Sequence, residues 1–510
     1  MFCILVAKTS VKNLLSAMNY LFKKPYNNIL FFSLLVYLIT AYSSIGYYHI
    51  DEHFQILEFS IYKLGSLPAE KLPWEFQEQM RPTIQPIIAL VMIKILNAFS
   101  VFNPFLYALF LRLISAVAAW FVLYKLSFLL INNFSFEISK KIFLFLSLLL
   151  GFAPFINVRF SSENYSAITF LSALYLIIKY RYIIAEKIQY KLIFTGLLLG
   201  FSFFFRFQIA FAIIGLGIWL LIINKTKWQN LTIIVLSGAC AILICVLADS
   251  WFYGKFVFTP YNYFFANIVN HKAADFGVQP WWYYFSVFIH EVSLPFGILL
   301  LLLFFIGLIK RPKDPIVWCL IPFLIAHFYI GHKEPRFLFP ILFLFTYLTV
   351  FGIEYLVMIS KAQKYWRLIF ILIVACNLPP LLYNMFSPAD NGLYFYKYLY
   401  EKSPKSELVY ISRESNTFNK WSLETNFYNS PNIKSIELKN DTDFTNYLNK
   451  CESDTLYVLE KEFISQRKYP GYTNKCIEML YPNWVLKFNF NDWQSRTSIS
   501  NIQELIKEKI

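Results

Sequence analysis

A polytopic α-helical membrane protein with a small C-terminal α/β domain is the fold class this sequence predicts, and three observations predict it. The 510 residues are 57% hydrophobic, 20% aromatic and only 15% charged, with mean hydropathy +0.49, far more apolar than a soluble core requires. The apolar residues gather in runs close to the roughly 20 residues that cross a bilayer core. From about residue 387 the composition turns to Asn, Lys, Glu and Ser, with short β-prone segments between them.

Residues 1–28 carry Lys8, Lys12, Lys23 and Lys24 ahead of the first long apolar run, and no small-residue cleavage site follows that run. This predicts a cytoplasmic N-terminal segment rather than a cleavable leader. Residues 29–46 are uncharged and form the first crossing. Immediately after them comes Tyr47-Tyr48-His49-Ile50-Asp51-Glu52-His53-Phe54-Gln55, two adjacent carboxylates among histidines at a membrane edge. We take Asp51 and Glu52 as the centre of a site; the alternative is a helix end that merely faces water. The loop they open, 47–82, also holds Glu58, Glu70, Trp74, Glu75, Glu78 and Arg81, a mixture suited to short interfacial helices.

Further apolar runs lie at about 84–100, 106–130, 141–157, 164–180, 190–205, 207–223, 232–249, 286–309, 313–330, 337–358 and 366–386. Lysines and arginines at 140–141, 179–191, 225–227, 310–313 and 361–367 mark cytoplasmic loops by the positive-inside rule, which accounts for the formal charge of +15. No basic face or base-reading module accompanies them, so nucleic acid is not a predicted partner. The loops at 157–163, 250–285 and 331–336 then share the side of Asp51. Parity requires one intervening run to stop short of crossing. That run is 84–100, which no positive charge separates from the next, and about 11 transmembrane helices remain.

The turn His332-Lys333-Glu334-Pro335-Arg336-Phe337 joins two apolar runs and holds three potential cations and one acid. Such a cluster suits a phosphate group, and it lies on the side where loop positive charge is not expected. Arg206 and Arg112 are cations inside apolar sequence, a pattern that points to function by default; Arg206 and Arg81 are placed to reach the same phosphate. Arg159 and Glu163, four apart at a helix start, either bind sugar hydroxyls or pair at the helix end. Trp281 and Trp282 offer flat faces to a sugar or an isoprenoid, or else form an interfacial belt.

In 388–510 the expected strands are 408–412, 433–438, 455–459 and 484–490, with a helical piece at 500–510. Cys451 and Cys476 are placed to bridge in an oxidising compartment, or stand as two thiols. Asp441-Thr442-Asp443 is too slight a pattern to predict a metal, and no metal or other cofactor is expected.

Together, the His332–Phe337 turn and Asp51-Glu52-x-Phe54-Gln55 resemble glycosyltransferase family 22, the polyprenyl-phosphate-mannose-dependent mannosyltransferases, the GPI branch in particular. Asp249-Ser250-Trp251-Phe252-Tyr253-Gly254 and Phe276-Gly277-Val278-Gln279-Pro280-Trp281-Trp282-Tyr283-Tyr284 are similar to two further stretches of that family. Gln279 and Trp282 stand where the family has histidines. The likeness covers roughly 40–345.

The resemblance implies a GT-C fold over 29–387, with the catalytic acid in the first extracytoplasmic loop; residues 388–510 lie outside the likeness and are read from composition and loop parity as an extracytoplasmic α/β domain. It implies transfer of mannose from polyprenyl- or dolichyl-phosphate-mannose to a glycolipid or lipid-linked glycan, with inversion to an α-mannoside. Asp51 is then the general base and Glu52 its orienting partner or substitute. His332, Lys333, Arg336, Arg206 and Arg81 would hold the donor phosphate. His53, Gln55, Arg159, Glu163, Asp249, Tyr253, Trp281, Trp282 and Glu334 would line the substrate. In a eukaryote the protein would sit in the endoplasmic reticulum membrane with its site in the lumen; in a bacterium, in the cytoplasmic membrane facing the periplasm. The alternatives are a flippase of a lipid-linked sugar and a GT-C transferase of another sugar. No internal repeat of the kind transporters use accompanies the polar groups.

Overall fold

The computed structural model describes residues 26–186, 190–292, 296–402, 406–411, 425–429, 433–460, 469–479, 487 and 501–508. Their contacts divide the chain into two compact units. The first comprises 26–44, 74–95 and 109–387, and the second 45–73, 96–108 and the described part of 388–510.

Long helices build the first unit: α1 (Asn27–Ser43), α2 (Ile84–Ala98), α3 (Pro104–Leu130), α4 (Glu137–Leu149), α5 (Ser162–Glu186), α6 (Tyr190–Phe205), α7 (Ala210–Ile222), α8 (Trp228–Tyr253), α9 (Phe296–Lys310), α10 (Pro315–Tyr329), α11 (Leu342–Ile359) and α12 (Trp366–Phe386). Only Ile84–Ile95 of α2 and Leu109–Leu130 of α3 belong to it. Among the described residues, 5 helical stretches are long and apolar enough to cross a membrane: Pro104–Asn133, Ser162–Ala185, Trp228–Tyr253, Pro335–Ile359 and Gln363–Phe386. The other apolar helices run 10–17 residues, so helix length alone does not reach about 11 crossings. Turns shorten them. The run 141–157 breaks after Leu149, where Leu150 leaves helical geometry, and the extended Arg206 separates the runs 190–205 and 207–223.

Apolar side chains on α8 and α12 face outward. Val235 and Leu247 are 68% and 61% exposed, and Ile371 is 60% exposed. A helix whose backbone groups are satisfied internally can present such a face to lipid. Inside, small residues allow close crossings. Gly307 of α9 lies against the Leu348 carbonyl, and Gly352 of α11 against the Leu303 carbonyl, with no room for a Cβ at either position.

Two arginines secure the C-terminal end of α1. Arg112 Nε donates to the Ala41 carbonyl at 2.8 Å, and Arg159 Nη2 to that of Ser44 at 2.6 Å. Cations satisfying the last carbonyls of a helix also oppose its dipole. Arg112 therefore has a structural partner within its apolar surroundings.

In the second unit, α13 (Asn391–Lys402) precedes a 5-stranded sheet of order β2-β1-β3-β5-β4. Its strands are β1 (Ser406–Ile411), β2 (Ile433–Leu438), β3 (Thr455–Glu460), β4 (Tyr472–Met479) and β5 (Asn501–Lys507). β1 runs parallel to β2 and β3, while β5 pairs antiparallel with β3 and β4. The crossover from β2 to β3 is α14 (Asp441–Lys450), whose Phe444 and Leu448 pack on Val409, Ile411 and Val458.

The piece read from sequence as helical near 500–510 is strand β5 over its described length. Ile502 and Leu505 are three apart and suit a helix, but both are fully buried in the sheet, where Leu505 opposes Leu456. Tertiary pairing overrides the local pattern. The expected strand 484–490 lies outside the described residues apart from Lys487, and β4, whose Asn474-Lys475-Cys476 stretch is polar, was not anticipated. Asp441 and Asp443 form the first turn of α14, where Asn440 caps by accepting the Asp443 N–H at 2.8 Å. Cys451 carries a free, buried thiol, so the Cys451–Cys476 bridge is not formed.

Candidate active site

The cationic turn follows α10, where Ile330 takes an extended backbone and ends the helix. Pro335 then opens the 3-10 helix Pro335–Ile341, the position where a missing N–H costs least. The turn is fastened to 277–279 at three points. Gln279 N–H donates to the Gly331 carbonyl at 2.9 Å, His332 Nδ1 to the Gly277 carbonyl at 3.0 Å, and Lys333 Nζ to the Gln279 carbonyl at 3.3 Å. Lys333 also donates to the Ile330 carbonyl. Burial lowers its pKa.

Arg336 is buried, and its guanidinium forks onto Glu334, Nε to Oε2 at 2.6 Å and Nη2 to Oε1 at 3.1 Å. Its Nη1 donates to Glu163 Oε1 at 3.1 Å, and that same oxygen lies 3.2 Å from Arg206 Nη1. One carboxylate oxygen thus holds two guanidinium groups, with side-chain exposures of 5% for Glu163, 8% for Arg206 and 7% for Arg336. Arg206 also lies over the Phe337 ring, 4.9 Å from its centre. His332 Nε2 is 3.0 Å from Glu334 Oε1. Both its nitrogens therefore face acceptors, the arrangement of an imidazolium, and its pKa is raised, chiefly by the hydrogen bond to Glu334.

The charge balance follows from these contacts. Within these contacts the three cations Arg206, Arg336 and Lys333 meet the two carboxylates Glu163 and Glu334, and protonation of His332 adds a further positive charge. A buried cluster with an excess of cations is a place for an anion.

The structure brings His332, Lys333, Glu334, Arg336, Arg206 and Glu163 together across α5, α6 and the turn. Glu163 also serves Arg206 and Arg336, which local sequence does not disclose. Arg159 goes to α1, and the spacing of four held no signal for partners 43 and 173 residues away. Arg81 lies 3.5 Å from Glu75, with its guanidinium over Tyr263. Asp249, expected at the substrate, is fully buried and accepts from Thr83 N, Thr83 Oγ1 and Thr259 Oγ1 at 2.7–2.8 Å. Tyr253 donates to the Arg81 carbonyl at 2.9 Å. Both residues thus fasten the end of α8 to the segment around Arg81. Trp281 and Trp282 are 65% and 50% exposed.

In the second unit, Asp51 and Glu52 form the first turn of the short helix Ile50–Glu52, where carboxylates oppose the helix dipole. His49 Nδ1 accepts from Asp51 N at 3.3 Å. A π-turn over His53–Leu57 follows, then the helix Glu58–Lys63. His53 and Gln55, expected to line the substrate, are both buried. The His53 ring is 0% exposed, with Nε2 at 2.7 Å from Glu58 Oε1.

The family model for Alg9-like mannosyltransferases matches residues 29–411, which include the Asp51 loop, Glu163, Arg206 and the cationic turn. The chain belongs to this family. An Alg9-like mannosyltransferase family match reaching 411 also takes in β1. Among similar proteins, GPI mannosyltransferase 3 of Candida albicans is 27% identical over 319 residues, 62% of this chain and 61% of the relative. A probable Dol-P-Man:Man(7)GlcNAc(2)-PP-Dol alpha-1,6-mannosyltransferase of Schizosaccharomyces pombe is 27% identical over 253 residues, 46% and 44% respectively. The chain thus matches less than two thirds of the length of either relative. Among solved structures, ArnT from Cupriavidus metallidurans bound to undecaprenyl phosphate aligns with TM-score 0.52 at 10% identity, covering 94% of this chain and 98% of that one. That likeness is one of fold, the GT-C type expected of the Alg9-like family.

Proposed function

We propose that this protein is an integral-membrane α-mannosyltransferase. It moves mannose from a polyprenyl- or dolichyl-phosphate-mannose donor to a hydroxyl of a glycolipid or lipid-linked glycan on the lumenal or periplasmic side. The observation that carries the reading is the buried pair of guanidinium groups on Glu163, set beside His332, Lys333 and Glu334 in a chain of this family. The named activities of the two fungal relatives support donor and acceptor class.

The chemistry matches the charge. The donor phosphodiester carries one negative charge. When its bond to the anomeric carbon breaks, the leaving polyprenyl phosphate carries a second, so no general acid is needed. Preorganised cations stabilise that charge as it develops. The acceptor oxygen forms the new bond from the opposite face, and its proton passes to Asp51, with Glu52 as orienting partner. A single displacement inverts the anomeric centre. Glu334 fixes His332 and Arg336, so the cations are in place before the donor arrives.

The test is transfer of labelled mannose into lipid by membranes containing the protein, with polyprenyl-phosphate-mannose and a nucleotide-mannose supplied in turn. The reading expects labelled α-mannoside from the lipid donor only. Donor lipid crossing the bilayer with no new glycosidic bond would overturn it in favour of a flippase.

A further inference from the structure

Beyond Asp51 itself, the second unit holds a buried assembly that no catalytic step uses. The π-turn creates it. Residues five apart stand on different sides of an α-helix, but i→i+5 bonding widens the turn, and the Glu58 N–H bonds to the His53 carbonyl. His53 and Glu58 are thereby brought to 2.7 Å. The His53 ring stacks with Tyr47, centres 5.0 Å apart, and with Tyr428, centres 5.5 Å apart at an interplanar angle of 12°. Glu58 Oε1 accepts a second bond, from the Phe427 backbone N–H at 2.9 Å. His53, Glu58, Tyr47, Phe427 and Tyr428 are all less than 9% exposed.

A second grip lies on the other side of Asp51. The Ile45 carbonyl accepts from Ala389 N at 2.8 Å and from Asp390 N at 3.0 Å. Gly46 takes φ +87, and a Cβ there would lie 2.7 Å from Asp390 Cβ, so only glycine fits the close approach. Asp390 in turn accepts from Leu393 N at 3.0 Å at the start of α13. The stretch that carries Asp51 is therefore held at Ile45 and Gly46 before it and at His53 and Glu58 after it. Both grips come from the segment that follows α12.

We infer that Ala389 and Asp390 together with Phe427 and Tyr428 form a clasp that positions the Asp51 stretch, with Tyr428, His53 and Glu58 as positioning residues, and that the second unit's C-terminal part thus takes part in catalysis. The inference rests on Asp51 as the base of the proposed transfer. Stacking against two buried rings fixes the rotamer of the imidazole, and a buried carboxylate shared by an imidazole and a backbone N–H fixes the chain that carries it. A displacement of the base by about 1 Å costs on the order of 10²-fold in rate.

The experiment compares full-length wild type, Tyr428→Ala, Tyr428→Phe and Glu58→Gln in membranes at matched abundance. Two quantities are read: kcat and KM for the lipid-phosphate-mannose donor, and amide hydrogen exchange over residues 45–63. The clasp predicts that Tyr428→Ala lowers kcat by roughly 10- to 100-fold while donor KM holds within about twofold, with faster exchange around Asp51. Tyr428→Phe keeps the stacked ring and restores kcat. Glu58→Gln, which keeps shape and an acceptor, falls between them. Unchanged kcat and exchange in Tyr428→Ala would overturn the clasp, as would a kcat loss that Tyr428→Phe does not restore. Wild type that transfers nothing would overturn the transferase reading and the catalytic part of this inference with it; the exchange data would still decide whether the segment holds the loop.

Discussion

Replacing Glu163 with glutamine removes the one negative charge shared by Arg206 and Arg336 and leaves the shape unchanged. Charge-assisted contacts are worth about 1.5–3 kcal/mol each, and Glu163 makes one to each guanidinium, both buried. Breaking buried ion pairs costs about 3–5 kcal/mol in the same terms. Arg336 keeps its fork on Glu334, so the lower figure, about 3 kcal/mol, applies. At about 2 °C per kcal/mol for a large domain, the melting temperature of the detergent-solubilised protein should fall by about 6 °C. A thiol-reactive dye reports it, since Cys245 and Cys319 are buried in the native state. If the cluster is an anion site, polyprenyl phosphate should restore the variant more than it stabilises wild type, because it replaces the missing negative charge. Melting within about 1 °C of wild type, or no gain from the lipid phosphate, would refute the reasoning.

The pH response follows from His332, whose pKa is raised by Glu334. A raised pKa stabilises the charged pair fully below the unfolded value of about 6.5, and the contribution is lost as pH rises through the folded value. Donor affinity should therefore weaken on the alkaline side, and Glu334→Gln should move that limb to lower pH; an unmoved limb removes His332 from the phosphate site. In the helical core, Gly352→Leu should destabilise by roughly 1–3 kcal/mol or more, since its Cβ would overlap the Leu303 carbonyl. Gly217→Ala, which meets nothing within 4 Å, is the control expected to melt like wild type.

Much of this was legible in the sequence because it is local. Apolar runs mark helices, a dense cationic turn stands out against apolar neighbours, and β1, β2 and β3 read as β-branched segments. Pairings across the chain were not legible. Glu163 and Arg159 are spaced like a helix-end pair, and that spacing says nothing of the bond from Arg159 to Ser44 or of the contacts from Glu163 to Arg206 and Arg336. His53 beside two carboxylates reads as a substrate contact, and the π-turn and Tyr428, 375 residues on, make it the centre of a packed assembly. Asp249 looks equally available until Thr83 and Thr259 occupy its oxygens. β5 is not legible as a strand, because its apolar spacing suits a helix and its pairing with β3 and β4 is not local.

In the proposed transfer Asp51 takes the acceptor proton. Its most direct test is single-turnover transfer from polyprenyl-phosphate-mannose by Asp51→Asn at wild-type abundance, with donor binding measured in parallel. Transfer should fall by about 10²-fold or more with donor binding intact. Transfer within a few-fold of wild type would contradict it.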